Sequence, residues 1–205
     1  MGISKHLNSR SNLYNHNPPG VAKCPDFTFS MEPKIADIFI DGNNFYHNLK
    51  NIIEKPKRIN FFKIAKLIEK RFNIQIKQIK YYNSIPNKED IKRYNSHKSF
   101  LDKLTSKGVH VYTRELHGKK NYEREKGVDI LIATDMIKFC LINSECDVCI
   151  IIIGDADFLP VMQLIKDSKK EAIVSSVFKG FSQKFREGKF RYLILKKEDI
   201  LNCLD

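Results

Sequence analysis

The sequence predicts an α/β protein: a three-layer sandwich with a central, mainly parallel sheet flanked by helices. From Ile35 onward, apolar runs of strand length alternate with stretches of helical period, the pattern of βα units joined by right-handed crossovers. At 205 residues the chain is long enough for one sizeable core and too short for two full domains. Three of the apolar runs end on an aspartate or hand over to a helix at one: Asp41 in IADIFIDGNN, Asp129 in REKGVDILIATD, and Asp155 with Asp157 in VCIIIIGDADF. An open α/β sheet gathers carboxylates at the carboxyl edge of its strands in that way.

Residues 1–33 mix Asn, Ser, Pro and Lys with scattered aromatics and show neither periodicity, so an N-terminal tail or irregular wrap is expected there and the domain is read as 34–205. The apolar run 35–40 reads as a buried first strand. Gly42 then permits a sharp turn, and Asn43 or Asn44 can cap a helix over 43–51. In 61–72, Phe61, Ile64, Ala65, Ile68 and Phe72 recur at helical spacing while Lys63, Lys66 and Lys70 fall together on the other side. A strand over 74–83, a helix over 88–105 and a strand over 109–113 follow. The polar connection 114–126 is the one long loop, long enough to cover a substrate. A helix over 127–142 carries the apolar stripe Val128, Leu131, Ile132, Met136, Phe139 and Ile142. The most apolar run, 147–153, precedes Gly154-Asp155-Ala156-Asp157-Phe158 and a helix over 157–169. Pro160 falls in its first turn, where a missing N–H costs nothing. Strands at 171–177 and 190–195 and helices at 180–187 and 196–204 complete the pattern.

Composition narrows the function classes. With 42% hydrophobic and 29% charged residues, and no apolar stretch near the roughly 20 residues of a membrane span, a soluble chain without a membrane partner is expected. No leader-like segment or myristoylation signal opens the chain, so a cytoplasmic location is expected. The five cysteines, Cys24, Cys140, Cys146, Cys149 and Cys203, are odd in number and lie mostly in apolar segments, which favours reduced thiols over a disulfide framework. Cys146-x-x-Cys149 lacks a second pair, and His97, His110 and His117 lack ligand spacing, so zinc is not expected. A Walker A sequence, a G-x-G-x-x-G fingerprint and a G-x-S-x-G elbow are all missing, which removes NTPase, dinucleotide and serine-hydrolase readings.

A formal charge of +12 attracts polyanions, nucleic acid first. Residues 50–80 hold ten Lys/Arg against Glu54 and Glu69, Lys80 among them. The stripe Lys63, Lys66 and Lys70 is read either as a solvated helix face or as a phosphate-binding surface. The acidic motifs decide between classes of chemistry. Asp41, at the exit of the first strand, is assigned a functional role over that of a turn residue. Asp155 and Asp157 form a pair where a lone N-cap would need one carboxylate. Asp129 is read as facing the sheet edge, its alternative being helix-dipole complementation worth about 0.3–1 kcal/mol. Asp135 projects into the apolar stripe and is read either as support for the site or as a plain buried hydrogen-bonding group. Once these carboxylates converge, two of them about 4 Å apart repel by roughly 4 kcal/mol at an effective dielectric near 20, so a cation is needed. The hard oxygen donors suit Mg²⁺ or Mn²⁺. Such an ion, with a phosphate substrate, points to phosphodiester hydrolysis.

The segments IFIDGNNFYHNL, KGVDILIATDM and IIIIGDADFLPVMQLIKDSKKEAIVSSV resemble the three signature segments of the NYN domain, in the LabA-like branch of the PIN-like nuclease superfamily. The resemblance covers about 34–178 and rests on the joint order and spacing of the motifs. It implies a PIN-like fold and an Mg²⁺- or Mn²⁺-dependent endoribonuclease. Asp41, Asp129 and Asp155 match the family's acidic ligands with Asp157 alongside, and Asn43 and Lys126 match its accessory polar positions. Ile153 stands where the family usually has serine. On this reading the acidic quartet holds the ion and activates water. Lys63, Lys66 and Lys70, with Lys119 and Lys120, hold the phosphates of single-stranded or structured RNA. Tyr81 and Tyr82 are placed to stack bases, although one of an adjacent pair belongs in the core. A homo-oligomer is compatible with the pattern. The main alternative is a catalytically silent RNA-binding or regulatory module of the same fold. A phosphatase of the haloacid-dehalogenase type ranks below it, because Asp41 is followed by Asn43 where a second aspartate is needed.

Overall fold

Strands β1 (Lys34–Asp41) and β4 (Val148–Ile152) lie side by side, and their apolar residues from Ala36 to Ile40 and from Val148 to Ile152 are buried because helices cover both faces. A computed structural model of the chain describes residues 32–54, 59–116 and 127–205. β1 leads through α1 (Gly42–Lys50) and α2 (Phe61–Phe72) to β2 (Ile74–Ile85), then α3 (Ile91–Ser106), β3 (His110–Glu115) and α4 (Val128–Ile137). Beyond β4 come α5 (Leu159–Asp167), β5 (Glu171–Val177), α6 (Lys184–Glu187), β6 (Arg191–Leu195) and α7 (Lys197–Asn202). The sheet order is β3-β2-β1-β4-β5-β6 and every pairing is parallel. The chain therefore reverses its direction of travel across the sheet between β1 and β4, where a crevice opens at the carboxyl ends of the strands.

On one face, α1, α2, α3 and α7 pack on Ile38, Ile40, Ile79 and Ile150; on the other, α4, α5 and α6 pack on Phe39, Tyr82, Ile151 and Val174. α2 buries Phe61, Ile64, Ala65, Ile68 and Phe72, the positions its apolar spacing assigns to the core. Fully burying Ile64 and Ile68 contributes about 1.5–3 kcal/mol each. Asn60 starts this helix by accepting from the Phe62 and Lys63 amides, and Asn73 ends it in the left-handed region at φ 55°.

Two expectations change. The stretch 127–142 is not one uniform helix: after Ile137 it widens into a π turn, Lys138–Ile142. A π turn spends an extra residue per turn. Cys140 takes the inward position and Ile142, expected in the core, is 74% exposed. Lys80, counted with the basic surface, is 0% exposed and forms a buried ion pair with Asp37. Its ammonium lies 4.3 Å from the Phe139 ring centroid and 5.1 Å from that of Phe39. The cysteines Cys140, Cys146, Cys149 and Cys203 are buried free thiols. Burial pushes the Cys203 thiol above its ordinary range. No helix among the described residues is long and apolar enough to cross a membrane.

Candidate active site

Asp41 is the last residue of β1, 5% exposed, and stands in register with Tyr82 of β2. It caps α1 itself, its Oδ1 accepting from the Asn44 amide at 2.9 Å, in place of the Asn43 or Asn44 cap that the motif suggests. Asn43 is instead held sideways: its Nδ2 donates to Ser84 Oγ at the end of β2. Asn44 Oδ1 accepts from Asn48 Nδ2 at 2.9 Å. Gly42 serves a close approach, not a left-handed turn. A Cβ there would lie 2.3 Å from Cζ of Tyr81, whose phenol passes beneath the first turn of α1.

Ile40 pairs with Ile152, so Asp41 and the Gly154-Asp155 segment leave neighbouring strands at the same edge. Asp155 Oδ1 accepts from the Asp157 amide at 3.0 Å, and both carboxylates face solvent. The turn is fixed from below. A Cβ on Gly154 would fall 1.3 Å from the Gly180 carbonyl oxygen, and one on Gly180 would fall 2.4 Å from Asn48 Nδ2. The connection after β5 is thus wedged between the end of β4 and α1, and the Ser182 amide donates to the Gly154 carbonyl at 3.0 Å. Ile153, in the position where the family usually has serine, is 1% exposed in the core and donates its amide to the Ser175 carbonyl.

Asp129 lies exposed in the first turn of α4, after Gly127 in the left-handed region at φ 82°. In a parallel crossover that helix opens at the edge where the strands end. Asp135, one and a half turns on, is half-buried and accepts from the Tyr82 hydroxyl at 3.0 Å, the plain hydrogen-bonding role. Burial, then the charge of Asp135, pushes the Tyr82 hydroxyl well above its ordinary range and keeps it a donor. Neither Tyr81 nor Tyr82 presents a free face to a base. Tyr82 is sandwiched between Phe39 at 6.4 Å and Tyr112 at 4.8 Å, while Tyr81 packs on Phe61 and Phe100.

The donor set of Asp41, Asp129, Asp155 and Asp157 is all hard oxygen, which fits Mg²⁺ or Mn²⁺ in its chemistry. Among the described residues no group of three or more His, Cys, Asp or Glu is close enough to hold a metal ion, so these carboxylates share an edge without closing a coordination sphere. Lys63, Lys66 and Lys70 are exposed on α2, and Lys63 Nζ donates to the Leu204 carbonyl at 2.5 Å. Lys119, Lys120 and Lys126 lie outside the described residues. A cleft bordered by Asn43, two residues past Asp41, opens between α1, the end of β2 and α3, with Asn83 and Ser84 among its lining. Sequence reasoning passed over these two. The available signal was weak, because the Asn-Ser pair precedes the last residue of a strand that already carries Gln75, Lys77, Gln78 and Lys80.

A sequence model of the family described as NYN domain matches residues 36–195. No curated protein sequence matches the chain. Among solved structures, a crystal structure of VPA0982, a protein of unknown function from Vibrio parahaemolyticus, superposes with a TM-score of 0.64 at 17% identity, covering 83% of this chain and 98% of that one. At that identity the likeness speaks for the fold alone.

Proposed function

The chain belongs to the NYN domain family, within a nuclease superfamily, and from that premise we propose that it is a metal-dependent endoribonuclease of the LabA-like branch. One observation carries the reading. Asp41 and Asp155 leave adjacent strands at the point where the sheet order reverses, at the edge where α4 brings Asp129. Asp41, Asp129, Asp155 and Asp157 are the residues that would hold Mg²⁺ or Mn²⁺. Bound there, such an ion polarises a phosphoryl oxygen and lowers the pKa of water.

The chain's own groups supply orientation. The Asn44 amide fixes one oxygen of Asp41, and the Asp157 amide does the same for Asp155, so each carboxylate is aimed before substrate arrives. Asn43, tied to Ser84 through its Nδ2, follows Asp41 by two residues, and its carbonyl oxygen is the group that would accept from water or a ribose hydroxyl. Asp157, solvent-exposed next to Asp155, is the group able to take a proton from attacking water. The net charge of +12 draws the polyanion in.

Asp41→Asn is the informative variant, because asparagine caps a helix about as well as aspartate and removes only the charge. RNA cleavage in Mn²⁺ is expected to fall at least a hundredfold while RNA binding persists. Undiminished cleavage by that variant rules out the assignment. Intact RNA that the wild-type protein nevertheless binds, with steep salt dependence, selects the silent binding module instead.

A further inference from the structure

The cleft between α1, the end of β2 and α3 has a volume of about 770 Å³, within the range of sites that take a small ligand. Its floor is polar and buried. Asn83 is 4% exposed and spends its Nδ2 donating to the Tyr81 hydroxyl at 3.2 Å; its Oδ1 has no hydrogen-bond partner among the described residues. Native proteins seldom leave a buried acceptor unpaired, so such a group invites a donor from outside. The lining also carries two aromatic rings, Phe100 of α3 and half-buried Tyr46 of α1. The rim is cationic: Lys50, whose ammonium sits 4.8 Å from the Tyr46 ring centroid, and exposed Lys92 and Arg93 at the start of α3. Asp90 also lines the cleft, but its Oδ1 is engaged by the Arg93 amide at 3.2 Å. Asn43 and Ser84 line the same cleft, and Asn43 follows Asp41 by two residues, so its polar end adjoins the proposed scissile edge.

A flat, partly apolar group with hydrogen-bond donors on its edge and a phosphate attached would satisfy all three surfaces at once. We propose that this cleft is a nucleotide subsite. It takes one unstacked base of the strand, whose N–H edge donates to Asn83 Oδ1, and the flanking phosphates lie on Lys50, Lys92 and Arg93. Aromatic walls hold splayed bases by stacking, and cationic rims track the backbone. The inference rests on the RNA reading for its choice of polymer, but it makes the cleft, not the carboxylates, responsible for which nucleotide lies next to the cut.

The test reads binding without turnover. The full-length protein in EDTA is titrated by calorimetry with adenosine, cytidine, guanosine and uridine 5′-monophosphates, beside Asn83→Leu and Lys92→Glu. Saturable one-to-one binding of at least one mononucleotide is expected at millimolar concentration. Asn83→Leu is expected to weaken it about tenfold, the net value of one buried hydrogen bond at the upper end, and Lys92→Glu to weaken it several-fold with a flattened salt dependence. Should Asn83→Leu fail to fold, judged by thermal unfolding, the surface variant Lys92→Glu carries the result. No saturable binding by the wild-type protein, or binding that neither variant changes, overturns the subsite. Because no cleavage is read, an inactive protein that binds mononucleotides through Asn83 refutes the nuclease and keeps the subsite. An active nuclease that binds none refutes the subsite alone.

Discussion

Asp37→Asn should be among the most damaging single-atom changes in this protein. Asp37 and Lys80 are both 0% exposed and face each other across β1 and β2, beneath the π turn that follows α4. Removing one partner of a fully buried pair strands the other, which costs about 3–5 kcal/mol. The Phe39 and Phe139 rings at 5.1 and 4.3 Å stay beside the ammonium in the variant and offset up to about 2 kcal/mol. The expected net loss is about 3 kcal/mol, against a total stability of roughly 5–15 kcal/mol. In a domain of this size that lowers Tm by about 6–12 °C. Urea unfolding followed by circular dichroism measures it as a fall in the midpoint at constant slope. The double variant Asp37→Leu, Lys80→Met supplies the control. Asp37 Oδ1 has no hydrogen-bond partner among the described residues, so the pair does not recover all its desolvation, and an apolar replacement should be within about 1 kcal/mol of wild type or more stable. A loss below about 1 kcal/mol in Asp37→Asn, or a double variant as weak as the single, would refute the reasoning.

Three further outcomes follow from the same geometry. Gly154→Ala puts a methyl 1.3 Å from a backbone oxygen that cannot rotate away, so the Gly180 segment must shift; RNA cleavage should fall at least tenfold with Asp155 intact, and a fully active alanine variant would show that the wedge does not aim that carboxylate. The Tyr82 hydroxyl titrates well above the ordinary value of 10 in the folded protein, so its contribution to stability is complete below pH 10 and is lost as pH rises through and beyond that value; ultraviolet titration should find this tyrosine ionising only with unfolding, and ionisation near pH 10 in the folded protein contradicts its burial. Replacing Lys66 by alanine should reduce the slope of log affinity for single-stranded RNA against log salt by about 0.7 if that side chain meets a phosphate, and an unchanged slope assigns it to the solvated face.

The strands were legible because a strand covered on both faces reads as a continuous apolar run, and the core face of α2 because one-sided burial leaves a helical period. Ile64 and Ile68 of α2, and the apolar runs of β1 and β4, are where the pattern puts them. Periodicity reports that a side chain is buried but not what it meets, and the errors gather there. Lys80 looked like surface charge because its partner Asp37 is 43 residues away and enters only through strand pairing. Ile142 left the core because a π turn has no apolar signature that separates it from an α-helix. Tyr81 and Tyr82 advertised stacking faces, yet both are consumed by aromatic neighbours on opposite sides of the sheet. At the site, Asp41 and Asp155 stood out as carboxylates closing apolar strands. Their adjacency depends on the strand order, which no local pattern encodes. Asn83 escaped notice because a polar residue near a strand end has an ordinary explanation; only its burial and an oxygen with no partner among the described residues distinguish it.

The central claim, that carboxylates at the β1–β4 crevice direct an activated water at RNA, is tested most directly by the ends of the products. Single-stranded RNA is incubated with the wild-type protein and with Asp155→Asn, in Mn²⁺ or in EDTA, and the new termini are analysed. Attack by water predicts 5′-phosphate and 3′-hydroxyl ends, formed in Mn²⁺, absent in EDTA and lost in Asp155→Asn. Cyclic 2′,3′-phosphate ends, or cleavage that persists in EDTA or in the variant, would contradict it.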